Sequence, residues 1–297
     1  NISASSLPPP RLSVAVIVPH LGRLGDTAAC CRSLAAQRPR PARILVVDNG
    51  STAHSEAELA TACPDARILR LATNRGFAGG VNAGLREALA EATLASFWVL
   101  NNDTTCPPDT LARLQAVLEA NPRIGLVGSP LREGHGDSGH RIVPAGRRLV
   151  RPWAIPWPTA SGQEPDYLTG ASLLIRRELL NDIGLFDEGF FFFFEDADFS
   201  RRAIEKGWRL AIAPDALVDH RGSSTIRHMT EMQARCYRAG HVRYLRKHSR
   251  LPFLAALPPF LYRLAADALA GRGNALRGTL RGWRVGWRTA LPAAPGG

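Results

Sequence analysis

Three carboxylates follow a run of five phenylalanines in the segment Phe190–Arg202, which reads FFFFFEDADFSRR. Five consecutive aromatic side chains cannot all face a core from a solvated helix, so we expect them to line the wall of a site or an interface. Glu195, Asp196 and Asp198 then lie beside apolar surface, where burial and crowding raise the pKa of at least one carboxyl group. A helix N-terminus also favours acidic residues, but it explains only one or two of them. The pattern favours acid–base or metal chemistry.

A second group of polar residues, Asn101-Asn102-Asp103, follows the apolar run Ser96–Leu100. A carboxylate in that place can hold a hard divalent cation together with phosphate oxygens of a substrate. The alternative is a turn in which Asn and Asp satisfy the local backbone. His220 follows the strand-like Ala216–Val218 and is a further candidate ligand, with a purely structural histidine as its alternative.

Apolar runs alternate with helical segments along the first two thirds of the chain. The predicted strands are Leu12–Val18, Arg43–Asp48, Arg67–Leu71, Ser96–Leu100, Ile124–Gly128 and Tyr167–Arg176. The predicted helices are Asp26–Gln37, Glu56–Thr61, Gly80–Thr93, Pro108–Ala120 and Arg177–Ile183. This alternation predicts an α/β fold with a mainly parallel, Rossmann-like sheet flanked by helices.

Ligands of such folds bind at the carboxyl ends of the strands. Polar residues follow three of the predicted strands there: Pro19-His20, Asp48-Asn49 and Asn101-Asn102-Asp103. Residues 134–166 show no periodicity, and we expect them to form a flexible loop over the site.

Composition excludes several classes of protein. The chain has 297 residues, of which 45% are hydrophobic and 21% charged, so it is neither mainly disordered nor collagen-like. Uncharged apolar runs of 18 residues do not occur, and Asn1–Arg11 has no apolar core, so we expect neither a spanning helix nor a signal peptide. The five cysteines include no C-x-x-C pair, which fits a reducing cytosol rather than a disulfide framework or a zinc site.

The net charge of +11 is concentrated in the last quarter of the chain. Residues 221–297 contain 14 Lys and Arg but only two acidic residues, whereas residues 1–220 are nearly neutral. Within this tail three stripes share helical spacing: the arginines Arg277, Arg281, Arg284 and Arg288; the apolar Leu276, Leu280, Trp283 and Trp287; and the glycines Gly278, Gly282 and Gly286. An arginine face beside an apolar face predicts a helix in the interface of an anionic membrane. The alternative is a helix packed on the body of the protein or on a second subunit. Nucleic acid is not expected, because the tail has no recognised module and the body is not basic.

The motifs, in their order along the chain, resemble the inverting glycosyltransferases of family 2, and most of all their rhamnosyltransferase branch. The resemblance covers about 210 residues, from Leu12 to Ser224. It is carried by Val46–Thr52 (VVDNGST), by Asn74–Asn82, by Asn101-Asn102-Asp103 at the D-x-D position, by Gly170–Arg177, by Gly184–Glu188, and by the F-F-x-x-x-E-D-x-D-x-x-x-R element that ends at Arg202.

This resemblance implies a GT-A fold over residues 11–225, with a nucleotide-binding half (11–105) and an acceptor half (106–225), followed by a basic amphipathic helical tail (226–297). It implies a single displacement at the anomeric carbon of the sugar, with Asp196 as the general base and with Glu195 and Asp198 raising the pKa of that base. A divalent cation, Mg²⁺ or Mn²⁺, would lie on Asp103 and His220. The implied nucleotide-sugar-binding residues are Pro19, His20, Asp48, Asn49, Asn74, Arg75, Asn82 and Asn102.

The branch resemblance favours dTDP-rhamnose as donor and a hydroxyl of a glycan or lipid-linked acceptor, in the synthesis of a cell-surface polysaccharide. The expected location is the cytoplasmic face of the cell membrane, with peripheral attachment, and an oligomer is compatible with the sequence. The alternatives are a transferase that uses another UDP- or GDP-sugar and a non-catalytic nucleotide- or membrane-binding protein. A nucleotidyltransferase, for which Gly22–Gly25 is a weak loop candidate, is a third alternative.

Overall fold

A computed structural model describes residues 12–134, 141–159, 163–221 and 229–291. The strands, in chain order, are β1 (Val14–His20), β2 (Arg43–Asp48), β3 (Arg67–Arg70), β4 (Ser96–Leu100), β5 (Thr104–Thr105), β6 (Ile124–Gly128), β7 (Leu131–Glu133), β8 (Arg141–Val143), β9 (Gly146–Val150), β10 (Ile155–Pro158), β11 (Tyr167–Leu168), β12 (Ser172–Arg176), β13 (Arg209–Ile212) and β14 (Val218–His220). The helices are α1 (Leu24–Ala35), α2 (Glu56–Ala62), α3 (Gly76–Leu89), α4 (Thr110–Glu119), α5 (Arg177–Ile183), α6 (Glu195–Glu205), α7 (Glu231–His248), α8 (Pro252–Leu269) and α9 (Gly273–Arg288).

A central sheet of seven strands has the order β13-β6-β12-β4-β1-β2-β3. All the pairings in it are parallel except those of β12, which runs antiparallel to β4 and to β6. His20 and Asp48 are partners in the register of β1 and β2, so both lie at the carboxyl edge of the sheet. The predicted α/β fold with a mainly parallel sheet is therefore confirmed.

Both faces of the sheet are buried. Val16 and Val18 of β1 pack in one hydrophobic cluster with Trp98, while the intervening Ile17 packs in a second cluster with Phe97. Because successive side chains of a strand point to opposite faces, the apolar runs of the sequence are explained by helices on both sides.

Two smaller sheets flank the central one, with the orders β10-β9-β11 and β5-β14-β7-β8. They correct the prediction for residues 134–166: where the structure describes this segment, much of it forms the strands β8, β9 and β10. These strands are short and pair with one another or with β7 and β11, so their order comes from tertiary contacts rather than from local periodicity. The predicted strand over 167–176 is split into β11 and β12.

The basic tail, where it is described, forms the three helices α7, α8 and α9. Gly278, Gly282 and Gly286 face α7, where an added Cβ atom would collide with the backbone or side chains of that helix. Trp283 stacks on Phe260 of α8 with ring centroids 4.1 Å apart. The apolar and glycine stripes of α9 thus pack largely on neighbouring helices, which corrects the prediction that its apolar face is open to a membrane.

None of the helices in the described ranges is long and apolar enough to span a membrane. The proposed domain boundary at 225/226 falls outside the described residues, as do Asn1–Arg11 and Ser224.

Candidate active site

His20 and Asp48 form the first part of the site, at the ends of β1 and β2. Both residues are buried. His20 Nδ1 lies 2.7 Å from Thr27 Oγ1, whereas its Nε2 has no hydrogen-bond partner within the described part of the chain. Burial lowers the pKa of His20, with Asp48 acting in the opposite direction, so the neutral ring is favoured.

The carboxylate of Asp48 is held by one backbone amide and one cation. Its Oδ1 accepts a hydrogen bond of 3.0 Å from the amide of Ser51, and its Oδ2 lies 3.3 Å from Nη1 of Arg70 without forming a hydrogen bond among the described residues. His20 Nε2 and Asp48 Oδ2 are thus two buried polar atoms, at the ends of adjacent strands, that have no hydrogen-bond partner among the described residues. They are available to a ligand that carries both hydrogen-bond donors and acceptors.

The loop before α3 is fixed by two asparagines. Asn49 accepts a hydrogen bond from the amide of Arg75 (3.0 Å) and donates one to the carbonyl of Gly76 (2.8 Å), and Asn74 Oδ1 accepts one from the amide of Gly76 (2.9 Å). Gly76 has φ +72°, and an added Cβ would collide with the carbonyl of Phe191. The loop therefore requires glycine and packs against the phenylalanine run.

Glu188 engages two of the predicted nucleotide-binding residues. Its carboxylate accepts hydrogen bonds from Arg75 (2.8 Å), Arg86 (2.6 Å) and the side-chain amide of Asn82 (3.1 Å). The side-chain amide of Asn82 also donates to the carbonyl of Phe186 and accepts from its backbone N–H, so within the described ranges its hydrogen bonds go to the 186–188 segment. A direct contact of Arg75 and Asn82 with a nucleotide sugar stays a prediction.

His220 bridges two carboxylates. Its Nε2 lies 3.3 Å from Asp103 Oδ1, and its Nδ1 lies 3.3 Å from Glu133 Oε1. Burial alone would lower the pKa of His220, but the two carboxylates outweigh it and raise that pKa. The structure thus brings Asp103 and His220 together, and it adds Glu133, which is separated from both in the sequence and which sequence reasoning missed.

Asp103 and His220 are the candidate ligands for a divalent cation. Across the described ranges, no group of three or more His, Cys, Asp or Glu side chains is arranged to hold a metal. Asp103 and His220 offer one oxygen and one nitrogen side by side, and Mg²⁺ sites commonly combine one or two carboxylates with water and substrate phosphates. Asn102 lies beside them and donates to Thr27 Oγ1 (2.9 Å), the atom that also contacts His20. The residues fit a cation that a diphosphate helps to bind.

Asp196 lines a cavity of about 220 Å³. Six aromatic residues are among the other residues that line this cavity: Phe77, Tyr167, Phe192, Phe193, Phe194 and Tyr237. Asp196 Oδ2 accepts a hydrogen bond from the amide of Gly170 (3.1 Å), and Oδ1 accepts one from the amide of Ala197 (2.8 Å). Burial raises the pKa of Asp196 to about 6, against the opposing effect of these amides. A carboxylate with such a pKa is suited to accept a proton near neutral pH.

Glu195 also lines the cavity, but it is almost fully buried and its Oε2 has no hydrogen-bond partner in the described structure. Burial, and then the charge of Asp196, raise its pKa well above the ordinary value. Both causes favour the protonated form of Glu195, and the two neighbouring carboxyl groups titrate as a pair.

Asp198 corrects the prediction for the third carboxylate. It is fully buried and contacts Arg202 Nε (3.0 Å), Lys247 Nζ (2.5 Å) and His248 Nε2 (2.9 Å). Burial would raise its pKa, but these partners hold the pKa at about 2. Asp198 therefore binds α6 to α7 and does not raise the pKa of Asp196, which is raised by burial.

Lys247 joins Asp198 to a second carboxylate. Its Nζ lies 2.9 Å from Asp187 Oδ2, and Asp187 also pairs with the buried Arg243 at 2.9 Å. The 184–188 segment, α6 and α7 are thus held together by one ion-pair network close to the candidate base.

The phenylalanine run is divided between core and cavity. Phe190 and Phe194 are buried in a core cluster, whereas Phe191 and Phe192 are exposed. Phe193 and Phe194 have φ of +72° and +70°, a left-handed conformation that is costly for a bulky residue. Such strain is concentrated at functional sites, and here it directs the run along the cavity and into α6.

Arg147 and two tyrosines were also not identified as candidate site residues from the sequence. Tyr167 and Tyr237 line the cavity, and Arg147 is the register partner of Tyr167 in the β9–β11 pair, so the two side chains share a face of that small sheet. The positive charge of Arg147 acts to lower the pKa of both Asp196 and Tyr167, against the larger effect of burial. No local signal marks Arg147, because it lies in the segment that was predicted as a loop.

Comparison with known proteins identifies the family to which this chain belongs. The model of "Glycosyl transferase family 2" matches residues 15–184. The N-acetylglucosaminyl-diphospho-decaprenol L-rhamnosyltransferase of Mycobacterium tuberculosis is 28% identical over 260 residues, which cover 78% of this chain and 81% of that protein.

Two solved structures share the GT-A architecture. GalNAc-T7 with UDP, GalNAc and Mn²⁺ superposes with a TM-score of 0.64 at 14% identity, over 87% of this chain and 51% of that one. The mannosyltransferase PcManGT of Pyrobaculum calidifontis, with GDP-Man and Mn²⁺, superposes with a TM-score of 0.57 at 19% identity, over 96% of this chain and 77% of that one. At these identities the likeness shows the fold alone. Because the family model matches more than half of the sequence, the chain belongs to glycosyltransferase family 2.

Proposed function

We propose that this enzyme is a metal-dependent, inverting rhamnosyltransferase that transfers the sugar of dTDP-rhamnose to a hydroxyl group of a lipid-linked acceptor. The observation that carries the proposal is Asp196, a carboxylate with a pKa of about 6 in an aromatic cavity beside the acceptor half. The rhamnose donor is supported by the rhamnosyltransferase of M. tuberculosis, to which the chain is similar over most of its length.

Asp196 acts as the general base in this mechanism. Its carboxylate accepts the proton of the acceptor hydroxyl as that oxygen attacks the anomeric carbon, and the bond from that carbon to the nucleoside diphosphate breaks on the opposite face. The amides of Gly170 and Ala197 fix the carboxylate, because each donates to one of its oxygens. The raised pKa of Glu195 favours its protonated form, which does not compete for the proton.

The nucleotide lies at the carboxyl edge of β1, β2 and β4 in this proposal. His20 Nε2 and Asp48 Oδ2, the two buried atoms without hydrogen-bond partners, face the pyrimidine base, and the neighbouring Pro19 and Asn49 complete that end. Asn74 and Arg75 border the diphosphate from the loop before α3, and Asn102 borders it from the end of β4.

Asp103 and His220 would hold the divalent cation, which when bound neutralises the charge of the departing diphosphate. Both solved neighbours contain Mn²⁺ together with a nucleotide or nucleotide sugar. Glu133 orients the ring of His220 through Nδ1 and so leaves Nε2 directed at Asp103.

The acceptor is a lipid-linked glycan with a diphosphate, as in the name of the mycobacterial relative. Tyr167, Tyr237 and the phenylalanines offer faces on which a sugar ring can stack. Arg147 forms no ion pair among the described residues and shares a face with Tyr167, so it is available for an acceptor phosphate. A lipid-linked acceptor requires the enzyme to work at a membrane, and we propose the inner face of the cell membrane.

The test is nucleotide release by the purified full chain from dTDP-, UDP- and GDP-sugars, with a synthetic GlcNAc-diphospholipid acceptor and with Mg²⁺, Mn²⁺ or EDTA. We expect turnover from dTDP-rhamnose that EDTA abolishes, and a loss of about 10²–10⁴-fold in Asp196→Asn, as for other general bases. Glu205→Gln is the matched control, because Glu205 lies exposed on the same helix and pairs only with Arg201 among the described residues. Near-full turnover of Asp196→Asn would overturn the role of the base, and preference for another sugar nucleotide would overturn the donor.

A further inference from the structure

The outer face of α8 is apolar and exposed. Leu254, Leu261 and Leu269 are 62%, 53% and 91% exposed, and they are spaced seven and eight residues apart, which places them on one side of the helix. Pro258 and Tyr262 lie between them on the same side, and both are exposed. The opposite side, with Ala255, Ala256 and Phe260, is buried against the neighbouring helices. The exposed stripe therefore has no partner among the described residues.

The surroundings of this stripe are strongly cationic. Residues 249–291 contain seven arginines and a single acidic residue, Asp267. Asp267 is fully buried, and its carboxylate pairs with Arg263 at 2.7 Å. The outward arginines Arg250, Arg284 and Arg288 form no ion pair in the described structure, so the segment presents uncompensated positive charge beside an apolar face.

The charge distinguishes between possible occupants of this face. A second copy of the chain that packed face to face would bring two arginine-rich surfaces together, and like charges at an interface oppose association. An anionic lipid surface supplies the opposite charge, and its acyl boundary accepts leucine side chains.

We infer that the outer face of α8, flanked by the arginines of the α8–α9 segment, is the surface through which the enzyme lies in the interface of an anionic bilayer. The inference identifies the surface by which the proposed enzyme would contact a membrane. It rests on the proposed function in one respect: a lipid-linked acceptor is the reason for the enzyme to bind a membrane. The sequence predicted that the apolar face of α9 contacts the membrane. In the structure the glycines of α9 pack on α7 and its Trp283 packs on α8, so we assign the membrane contact to α8 instead.

The experiment is co-sedimentation of the full chain with sucrose-loaded vesicles, without donor or acceptor, so that its outcome does not depend on the transfer reaction. The vesicles are phosphatidylcholine alone or an equimolar mixture with phosphatidylglycerol. We expect binding to the anionic vesicles that falls at about 1 M salt, where exposed charges are screened within about 3 Å. Leu254→Glu/Leu261→Glu should bind at least about tenfold more weakly, because it places two charges in the apolar stripe.

Ile142→Glu is the matched control, since Ile142 is an equally exposed apolar residue on β8, outside the tail. Because the substituted leucines are exposed, the double variant should retain its fold, which circular dichroism and nucleotide binding check independently. Undiminished vesicle binding by the double variant would overturn the role of α8. The proposal would also be overturned if the wild-type chain ignored anionic vesicles, or if it formed a dimer that the double variant abolished.

Discussion

The acid limb of the pH–rate profile follows from the burial of Asp196. With a pKa of about 6, its carboxylate is about one-tenth ionised at pH 5 and about nine-tenths ionised at pH 7. In the proposed mechanism only the ionised form accepts the acceptor proton, so kcat/KM should fall about tenfold between pH 7 and pH 5, with an apparent pKa near 6. An ordinary exposed aspartate would leave the rate almost unchanged over this range. The assay is initial-rate release of dTDP at saturating metal and subsaturating acceptor.

Substitution of Arg147 tests the same assignment by raising the pKa of Asp196. Its positive charge acts to lower the pKa of Asp196, so Arg147→Ala should shift the acid limb to higher pH. Arg148→Ala is the matched control, because Arg148 is the next residue of β9 and its side chain points to the opposite face, towards solvent. We expect the profile of Arg148→Ala to superpose on that of the wild type. A limb near pH 4, or equal shifts in both variants, would refute the assignment of the limb to a buried Asp196.

Two further changes test the framework of the site. Gly76→Ala should lower the free energy of unfolding by at least about 2 kcal/mol, because the residue has φ +72° and its new Cβ would collide with the carbonyl of Phe191; urea denaturation measures the loss. Asp198→Asn should cost about 3–5 kcal/mol by the same measurement at pH 7, because it removes the fully buried carboxylate that the partly buried Arg202 and Lys247 share, although Lys247 keeps Asp187. In the wild type this contribution is present above pH 4 and is lost as the pH falls towards 2, the pKa of Asp198.

Gly76→Ala is controlled by a second glycine substitution, and Asp198→Asn is checked by acid unfolding. Gly25→Ala places a Cβ where no atom lies within 4 Å, in the first turn of α1, so it should leave stability unchanged or raise it slightly. For Asp198, a midpoint of acid unfolding that is the same in Asp198→Asn and in the wild type would contradict the network. Equal stability of Gly76→Ala and Gly25→Ala would contradict the account of the loop.

Elements with strong local signals could be predicted from the sequence. The strands Arg43–Asp48, Ser96–Leu100 and Ile124–Gly128 and the helix Arg177–Ile183 have the predicted bounds, because buried β-branched runs and turn residues mark them. The helix predicted over Gly80–Thr93 instead begins at Gly76 and ends at Leu89. Its glycines reduce helix propensity, but at Gly84 a Cβ would collide with side chains of the sheet, so packing rather than propensity decides the sequence there.

Partners that are distant in the sequence could not be predicted. Asp196 and Asp198 are two residues apart and of the same type, yet burial raises the pKa of one and cations lower the pKa of the other. Besides the nearby Arg202, the partners that lower the pKa of Asp198 are Lys247 and His248, which follow some fifty residues later. Glu133 is likewise recognisable only once β7 and β14 lie side by side.

The lysine shared by Asp187 and Asp198 has a consequence for biosynthesis. The ribosome adds Asp187 sixty residues, and Asp198 forty-nine residues, before it reaches Lys247, which takes about 2–12 seconds at about 5–20 residues per second. During that interval the nascent chain contains α6 and the 184–188 segment without the cation that joins them. A polypeptide released before α7 would carry two carboxylates that it could not bury without cost.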